Sequence, residues 1–187
     1  MNTSQATFEQ SRASLLHPAS LIDALNLKPG MIVADFGCGG GHFTFMIAKR
    51  VGEEGKVYAI DVQAVPLEMI KERAQAERIT NVQVIRANLE IPGSSTISDA
   101  TVDLVLIANV LFQSPKKEAI IQEAKRILKP NGLLILIEWR KGAGGFGPPD
   151  ELRMDENAIR TLVQQQGLQP GNDIHIGQFH HIMTFTP

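Results

Sequence analysis

The chain predicts an α/β fold: a doubly wound sheet, mostly parallel, finished by a C-terminal antiparallel hairpin. Three observations carry this expectation. Short apolar runs at residues 32–35, 56–60 and 103–108 alternate with segments whose apolar residues recur at helical spacing. The run at 103–108 is too continuously apolar for a strand with one wet face, and suits a parallel sheet covered on both sides. The tail then breaks the rhythm. Residues 172–176 and 179–185 are two strand-like runs joined by Gly177-Gln178, with no room for a helix between them.

The elements follow in order. Residues 18–27 read as a short helix with Leu21, Ile22 and Leu25 on one face. Strand one at 32–35 enters a glycine-dense turn, and residues 42–51 suit the helix that follows it. Strand two occupies 56–60. Pro66 stands where a first helical turn tolerates it, and Leu67, Ile70 and Ala74 then repeat at helical spacing toward Glu77. Residues 82–86 alternate as strand three, and 93–100 form a polar loop. Strand four is 103–108. A helix over 115–128 has Ala119, Ile120, Ala124 and Ile127 on its inner face. Pro130-Asn131-Gly132 is expected to turn into strand five at 133–139, before a glycine-rich connector at 142–149. The last helix spans 154–166 and ends at Gly167. Strands alternating with helices imply right-handed crossovers onto both faces of one sheet.

Composition narrows the possibilities. At 187 residues, the expectation is one domain over 1–187 with nothing appended, residues 1–17 forming a mobile N-terminal segment. Formal net charge is −2, and Lys and Arg are scattered, so no broad nucleic-acid footprint is expected. No apolar run is long enough to span a bilayer, and no signal peptide is visible. Cys38 is the only cysteine, which excludes an internal disulfide and makes a cytoplasmic setting the expectation. Its reading is a small residue filling the turn.

The chemistry concentrates in Val33-Ala34-Asp35-Phe36-Gly37-Cys38-Gly39-Gly40-Gly41 and in Val57-Tyr58-Ala59-Ile60-Asp61. Glycine lets a backbone approach a ligand closely, because no Cβ intervenes. An acid at the tip of the second strand suits a pair of ribose hydroxyls. A nucleoside-bearing cofactor is therefore expected. The dinucleotide pattern G-x-G-x-x-G fails: from Gly37 its third position is His42, and from Gly39 it is Thr44. A P-loop is also absent. What remains is an acid followed by alternate glycines: Asp35, Gly37, Gly39, Gly41.

This acid-x-Gly-x-Gly-x-Gly run resembles motif I of the class I S-adenosylmethionine-dependent methyltransferases. Lys28-Pro29-Gly30-Met31 before strand one and Leu128-Lys129-Pro130-Asn131-Gly132 before strand five extend the resemblance over nearly the whole chain. It is similar to the small enzymes of the ubiquinone/menaquinone-biosynthesis type. The resemblance implies a Rossmann-like sheet of strand order 3-2-1-4-5-7-6, with S-adenosylmethionine as cofactor. By the same token, residues 37–41, Cys38 included, pack against its methionine and ribose portions, and Asp35 orients the turn. Asp61 takes both ribose hydroxyls, and Val62 touches the adenine face. Relatives usually carry an aspartate where Asn88 stands. The asparagine carbonyl can still accept from the adenine amino group, without the charge, while the Leu89 N–H meets a ring nitrogen. Asn109 would face the methionine or the acceptor, with Phe112 and Phe146 toward the acceptor.

Plainer readings stand beside these. The glycines could be only a tight turn, Asp61 only a helix cap, and Asn88, Asn109 and Phe112 only structural. No catalytic residue is evident: His17, His42, His180, Glu138 and Arg140 are conceivable helpers in taking a proton from the acceptor, but each reads first as structural. His180 and His181 point to opposite faces of a strand, a poor metal pair, and no metal is expected. Residues 142–149 either cover the substrate opening or merely connect. Residues 3–14 either fold over the cofactor through Phe8 and Arg12 or stay disordered. Two functions compete: transfer of a methyl group to a small-molecule acceptor, or a binding module that keeps the cofactor pocket without transfer. The oligomeric state is left open.

Overall fold

The structure, a computed structural model, describes residues 18–144 and 147–187. Its elements run α1 (Pro18–Ala24), β1 (Ile32–Phe36), α2 (His42–Val51), β2 (Lys56–Asp61), α3 (Ala64–Ala76), β3 (Val82–Arg86) and β4 (Val102–Ala108). They continue as α4 (Lys117–Ile127), β5 (Leu128–Trp139), α5 (Glu156–Gln165), β6 (Gln169–Pro170) and β7 (His180–Thr186). The seven strands form one sheet of order β3-β2-β1-β4-β5-β7-β6. The first five in that order are mutually parallel, while β7 runs antiparallel to both β5 and β6.

The period of two along each strand sorts side chains between two cores. Ala34, Phe36, Val105, Ile107, Leu134 and Leu136 face α4 and α5, which contribute Ile120, Ile121, Ala124, Ile159 and Val163. Val33, Leu104, Leu106, Ile135 and Ile137 face the other way, against Leu21 and Ile22 of α1 and Ile47, Ala48 and Val51 of α2. Leu67 and Ile70 of α3 pack with Phe45 and Ala59. Phe36, Phe45 and Phe185 are almost wholly buried, and burial on that scale stabilises by roughly 1.5–3 kcal/mol per large apolar side chain.

Of the boundaries that differ from the sequence expectation, four have an identifiable local reason. Helix α3 starts at Ala64, ahead of Pro66, because proline's missing N–H has no partner in the first turn anyway. Helix α5 starts at Glu156 and not at 154, where the Asp155 side chain accepts from the Asn157 N–H. The expected turn at 130–132 is absorbed as an irregularity inside β5. Leu128 pairs with Val102 and Leu133 with Leu104, so residues 129–132 bulge from the ladder. Gly132 leaves room there: a Cβ would sit 2.8 Å from Leu128 Cδ2 and 3.0 Å from the Lys129 carbonyl oxygen, so a side chain would force its neighbours to shift.

The fourth difference is the hairpin. The sixth strand is Gln169–Pro170, paired with Thr186 and Phe185, and not residues 172–176. Gly171 passes so close to β7 that a Cβ would lie 2.5 Å from Thr184 Oγ1. That hydroxyl instead donates to the Asn172 carbonyl at 2.7 Å, and the chain leaves the ladder. Beyond it, Ile174 N–H still donates to the Ile182 carbonyl. Side-chain capture of a backbone acceptor thus replaces strand pairing, a competition invisible in a β-prone run.

Among the described residues, no helix is long and apolar enough to cross a membrane.

Candidate functional site

The order of strands reverses direction between β1 and β4, which opens a crevice at their carboxyl ends. Three turns meet there: residues 37–41 after β1, the end of β2, and residues 109–113 after β4. In the first turn the alternate glycines all take the left-handed conformation, with φ of 71° at Gly37, 48° at Gly39 and 77° at Gly41. The spacing seen in the sequence is therefore a conformational requirement. Gly37 and Cys38 donate their N–H groups to the Ile60 carbonyl at 2.8 and 3.0 Å, locking the turn onto β2. A Cβ on Gly39 or Gly40 would meet nothing within 4 Å, so this backbone has an open face.

Gly37 is different. A Cβ there would stand 2.4 Å from Val110 Cγ2, so the first and third turns touch through a missing side chain. Gly37→Ala combines that overlap with a left-handed backbone and is expected to destabilise by about 1–3 kcal/mol. A lowered urea midpoint at unchanged slope is the expected reading; an unchanged midpoint would show that the approach is not tight.

Two acids anchor the site. Asp35 is 2% exposed and points from β1 toward α2, where Thr44 Oγ1 donates to its Oδ2 at 2.6 Å. Burial pushes its carboxyl up to about 6, against the Thr44 hydrogen bond and with help from the nearby Asp61 charge. Burial also holds the Cys38 thiol far above its ordinary range, so at neutral pH this sulfur is a thiol packed in the turn and no nucleophile. Asp61 ends β2. Its Oδ2 accepts from Gly39 N–H at 3.0 Å and its Oδ1 from Gln63 N–H at 2.9 Å. Each carboxylate oxygen keeps lone-pair capacity for another donor.

Beside Asp61 lies a cavity of about 250 Å³. Gly37, Asp61, Val62, Asn88 and Leu89 line it, all candidates from the sequence. Asp35, Cys38, Gly39 and Gly41 sit in or under the turn beside it and not on its wall. Asn88 Oδ1 accepts from Glu90 N–H at 3.0 Å, so one of its lone pairs is already engaged. From the turn after β4 the wall takes Val110, Gln113 and Ser114, while Asn109 and Phe112, the two positions expected to face ligand, are off it. Asn109 is still unusual: its φ is 57°, and its Oδ1 is buried with no hydrogen-bond partner. A non-glycine residue held left-handed at a strand end marks strain that its surroundings maintain.

Val110, Gln113 and Ser114 were missed because a turn's sequence does not say which side chains face inward. Gln63, Ala87 and Glu90 also line the cavity, and each adjoins a candidate that was named, so proximity to the strand ends was the available signal. Phe146, Phe8, Arg12 and His17 lie outside the described residues. Gly142, Gly144, Gly147 and Pro148 line a separate surface depression with Arg153, sharing no residue with the cavity beside Asp61. His180 packs on Trp139 at 4.0 Å between ring centres, and His181 on the opposite face meets Glu156 at 3.0 Å.

Comparison with known proteins agrees with this architecture. A demethylmenaquinone methyltransferase of Bacillus mycoides is 33% identical over 115 residues, covering 61% of this chain and 47% of that protein. A ubiquinone/menaquinone biosynthesis C-methyltransferase of Hydrogenovibrio crunogenus is 34% identical over 121 residues, covering 64% of this chain and 46% of that protein. These matches thus span about half the length of either curated relative. The crystal structure of a SAM-dependent methyltransferase from Aquifex aeolicus superposes with a TM-score of 0.83 at 29% identity, covering 99% of this chain and 98% of that one. The model of the methyltransferase domain matches residues 27–185. By that match, the chain belongs to the methyltransferase-domain family.

Proposed function

We propose that the chain is an S-adenosylmethionine-dependent methyltransferase that moves a methyl group by in-line displacement to a small-molecule acceptor. The observation that carries this reading is the Asp61 carboxylate, oriented by two backbone N–H groups at the mouth of a partly apolar cavity, beside an open-faced glycine turn. The fit to an adenosyl group is chemical. A diol needs an ionised acceptor, which Asp61 supplies, and charge-assisted bonds of this kind are the stronger ones. A flat purine needs apolar walls, and Val62, Ala87 and Leu89 provide them. In this reading Asn88 offers its remaining lone pair and Leu89 its backbone N–H to the base. Gly37, Cys38, Gly39 and Gly41 form the turn that the methionine and ribose portions lie against, with Asp35 fixing it from beneath. We keep Asn109 as a cofactor or acceptor contact: its Oδ1 is an unpaired acceptor, but it is buried off the cavity wall, so the contact requires the turn to shift when ligand binds.

When bound, S-adenosylmethionine supplies a methyl group already made electrophilic by its sulfonium. The chain's own task is to align the acceptor with the methyl–sulfur bond and keep water out, and such alignment is worth roughly 7–11 kcal/mol. An apolar, quinone-like acceptor is the class that the names of the Bacillus and Hydrogenovibrio proteins suggest. We place the protein in the cytoplasm, acting as one domain; its single cysteine suits a reducing compartment.

The test has two parts. Calorimetry with S-adenosylhomocysteine is expected to show one-to-one binding, and incubation with S-adenosylmethionine and candidate acceptors is expected to release S-adenosylhomocysteine. No heat with either compound would overturn the reading. Binding without release across a broad acceptor panel would leave a binding module in its place.

A further inference from the structure

Glu138 stands near the end of β5 and is 1% exposed. It follows Leu134 and Leu136 on the strand face that packs against α4 and α5, where an apolar side chain would be the ordinary occupant. Its carboxyl instead reaches across to the turn after β4. Oε1 accepts from Leu111 N–H at 2.7 Å and from Val110 N–H at 3.2 Å, capping the short 3-10 turn Leu111–Gln113. Oε2 is buried with no partner. A buried carboxyl half satisfied in this way is costly to keep, so packing does not explain it.

What it holds is part of the cavity wall. Val110, Gln113 and Ser114 line the cavity beside Asp61, and Val110 is the residue pressed against Gly37. The preceding residue, Asn109, is the left-handed one, and its N–H donates to the Ile137 carbonyl at 2.7 Å. Two adjacent residues of β5, one through its backbone and one through its side chain, thus pin a strained turn at successive positions. Strain of this kind persists only where its surroundings over-determine it.

We propose that Glu138 is a positioning residue of methyl transfer, whose carboxylate clamps the 109–113 turn and so sets the cavity wall opposite the glycine turn. It touches neither cofactor nor acceptor, and the proposal rests on the methyltransferase reading. An ionised carboxylate accepts more strongly from backbone N–H groups than a neutral one. Local opening of the turn, with Glu138 still buried in β5, therefore costs more once it ionises, even though the fold as a whole favours its neutral form. Burial raises its carboxyl to about 7, opposed by the Leu111, Val110 and Phe112 N–H groups and by the Lys117 cation. His181 stands opposite it on β7 and is itself paired with Glu156 of α5.

The experiment uses the full chain, with Glu138→Gln keeping the shape and one acceptor oxygen, and Glu138→Ala removing both. Amide hydrogen exchange at Val110 and Leu111, corrected for its intrinsic pH dependence, is followed from roughly pH 6 to pH 8, either side of about 7. Wild type is expected to gain protection at these two amides as pH rises, and Glu138→Gln to show less protection and no such rise. In transfer assays Glu138→Gln is expected to lower kcat by roughly 10-fold or more while S-adenosylhomocysteine affinity is retained, and to erase the limb near neutral pH. Equal protection in wild type and Glu138→Gln overturns the clamp, whether or not the alanine variant folds. Unclamped amides with unchanged kcat overturn the positioning role. A wild type that binds no S-adenosylhomocysteine fails the methyltransferase reading instead, a result the exchange data do not share.

Discussion

Asp61→Ala is expected to weaken S-adenosylhomocysteine binding by about 2 kcal/mol or more, a loss of roughly 30-fold. The side chain has two tasks in one place. It is the charged acceptor proposed for the ribose hydroxyls, and it also holds the Gly39 and Gln63 N–H groups, one in the turn after β1 and one just after β2. Removal therefore takes away a direct contact and frees two backbone donors that oriented it. Asp61→Asn separates the two effects: it keeps an oxygen for one N–H and the shape of the site, but not the charge. Calorimetry on both variants checks this, with affinity expected to fall for each and further for alanine. Affinity equal to wild type in the alanine variant would remove Asp61 from the ribose role.

The second large effect concerns pH and stability. Asp35 has its folded carboxyl raised from 3.8 to about 6, so the fold favours its neutral form. Its contribution is fully present below the unfolded value, declines as pH rises between the two, and is gone above about 6. The difference amounts to about 3 kcal/mol by linkage. Glu138 acts in the same direction over a window from 4.5 to about 7. Glu123 acts in the opposite sense: burial works against its charged form, but Arg126, Ser95 and Gly93 outweigh this and hold it at about 2. Its stabilisation is present above 4.5 and lost as pH falls toward 2. The raw stability curve mixes these terms, so the useful quantity is the difference between wild type and Asp35→Asn. Measured by urea unfolding at several pH values, wild type is expected to lose stability relative to the variant between about pH 4 and pH 6. Parallel curves would mean that Asp35 titrates normally in the fold.

Much of this was legible in local sequence. The dense apolar run at 103–108 pointed to a strand covered on both faces, and its residues do divide between the two cores, Val105 and Ile107 in one and Leu104 and Leu106 in the other. The run Asp35, Gly37, Gly39, Gly41 located the turn and its acid, since only glycine takes successive left-handed positions at low cost. Residues 172–176 misled for a specific reason. Ile174 and Ile176 alternate as in a strand, but Thr184, a dozen positions away, captures the Asn172 carbonyl and redirects the chain. The turn expected at 130–132 is likewise real as a local departure, yet β4 accommodates it within one strand.

The site divides along the same line. By itself the sequence determined the order of strands and helices, the glycine turn, and the acid at the end of β2, because each depends on the conformational limits of a few neighbouring residues. Only the tertiary structure decided that Val110 would press on Gly37, that Thr44 would hold Asp35, and that Glu138 would reach the turn after β4. Those contacts join residues far apart in the chain, and a buried carboxyl acquires its altered proton affinity from whatever packing surrounds it, which no single stretch of sequence encodes.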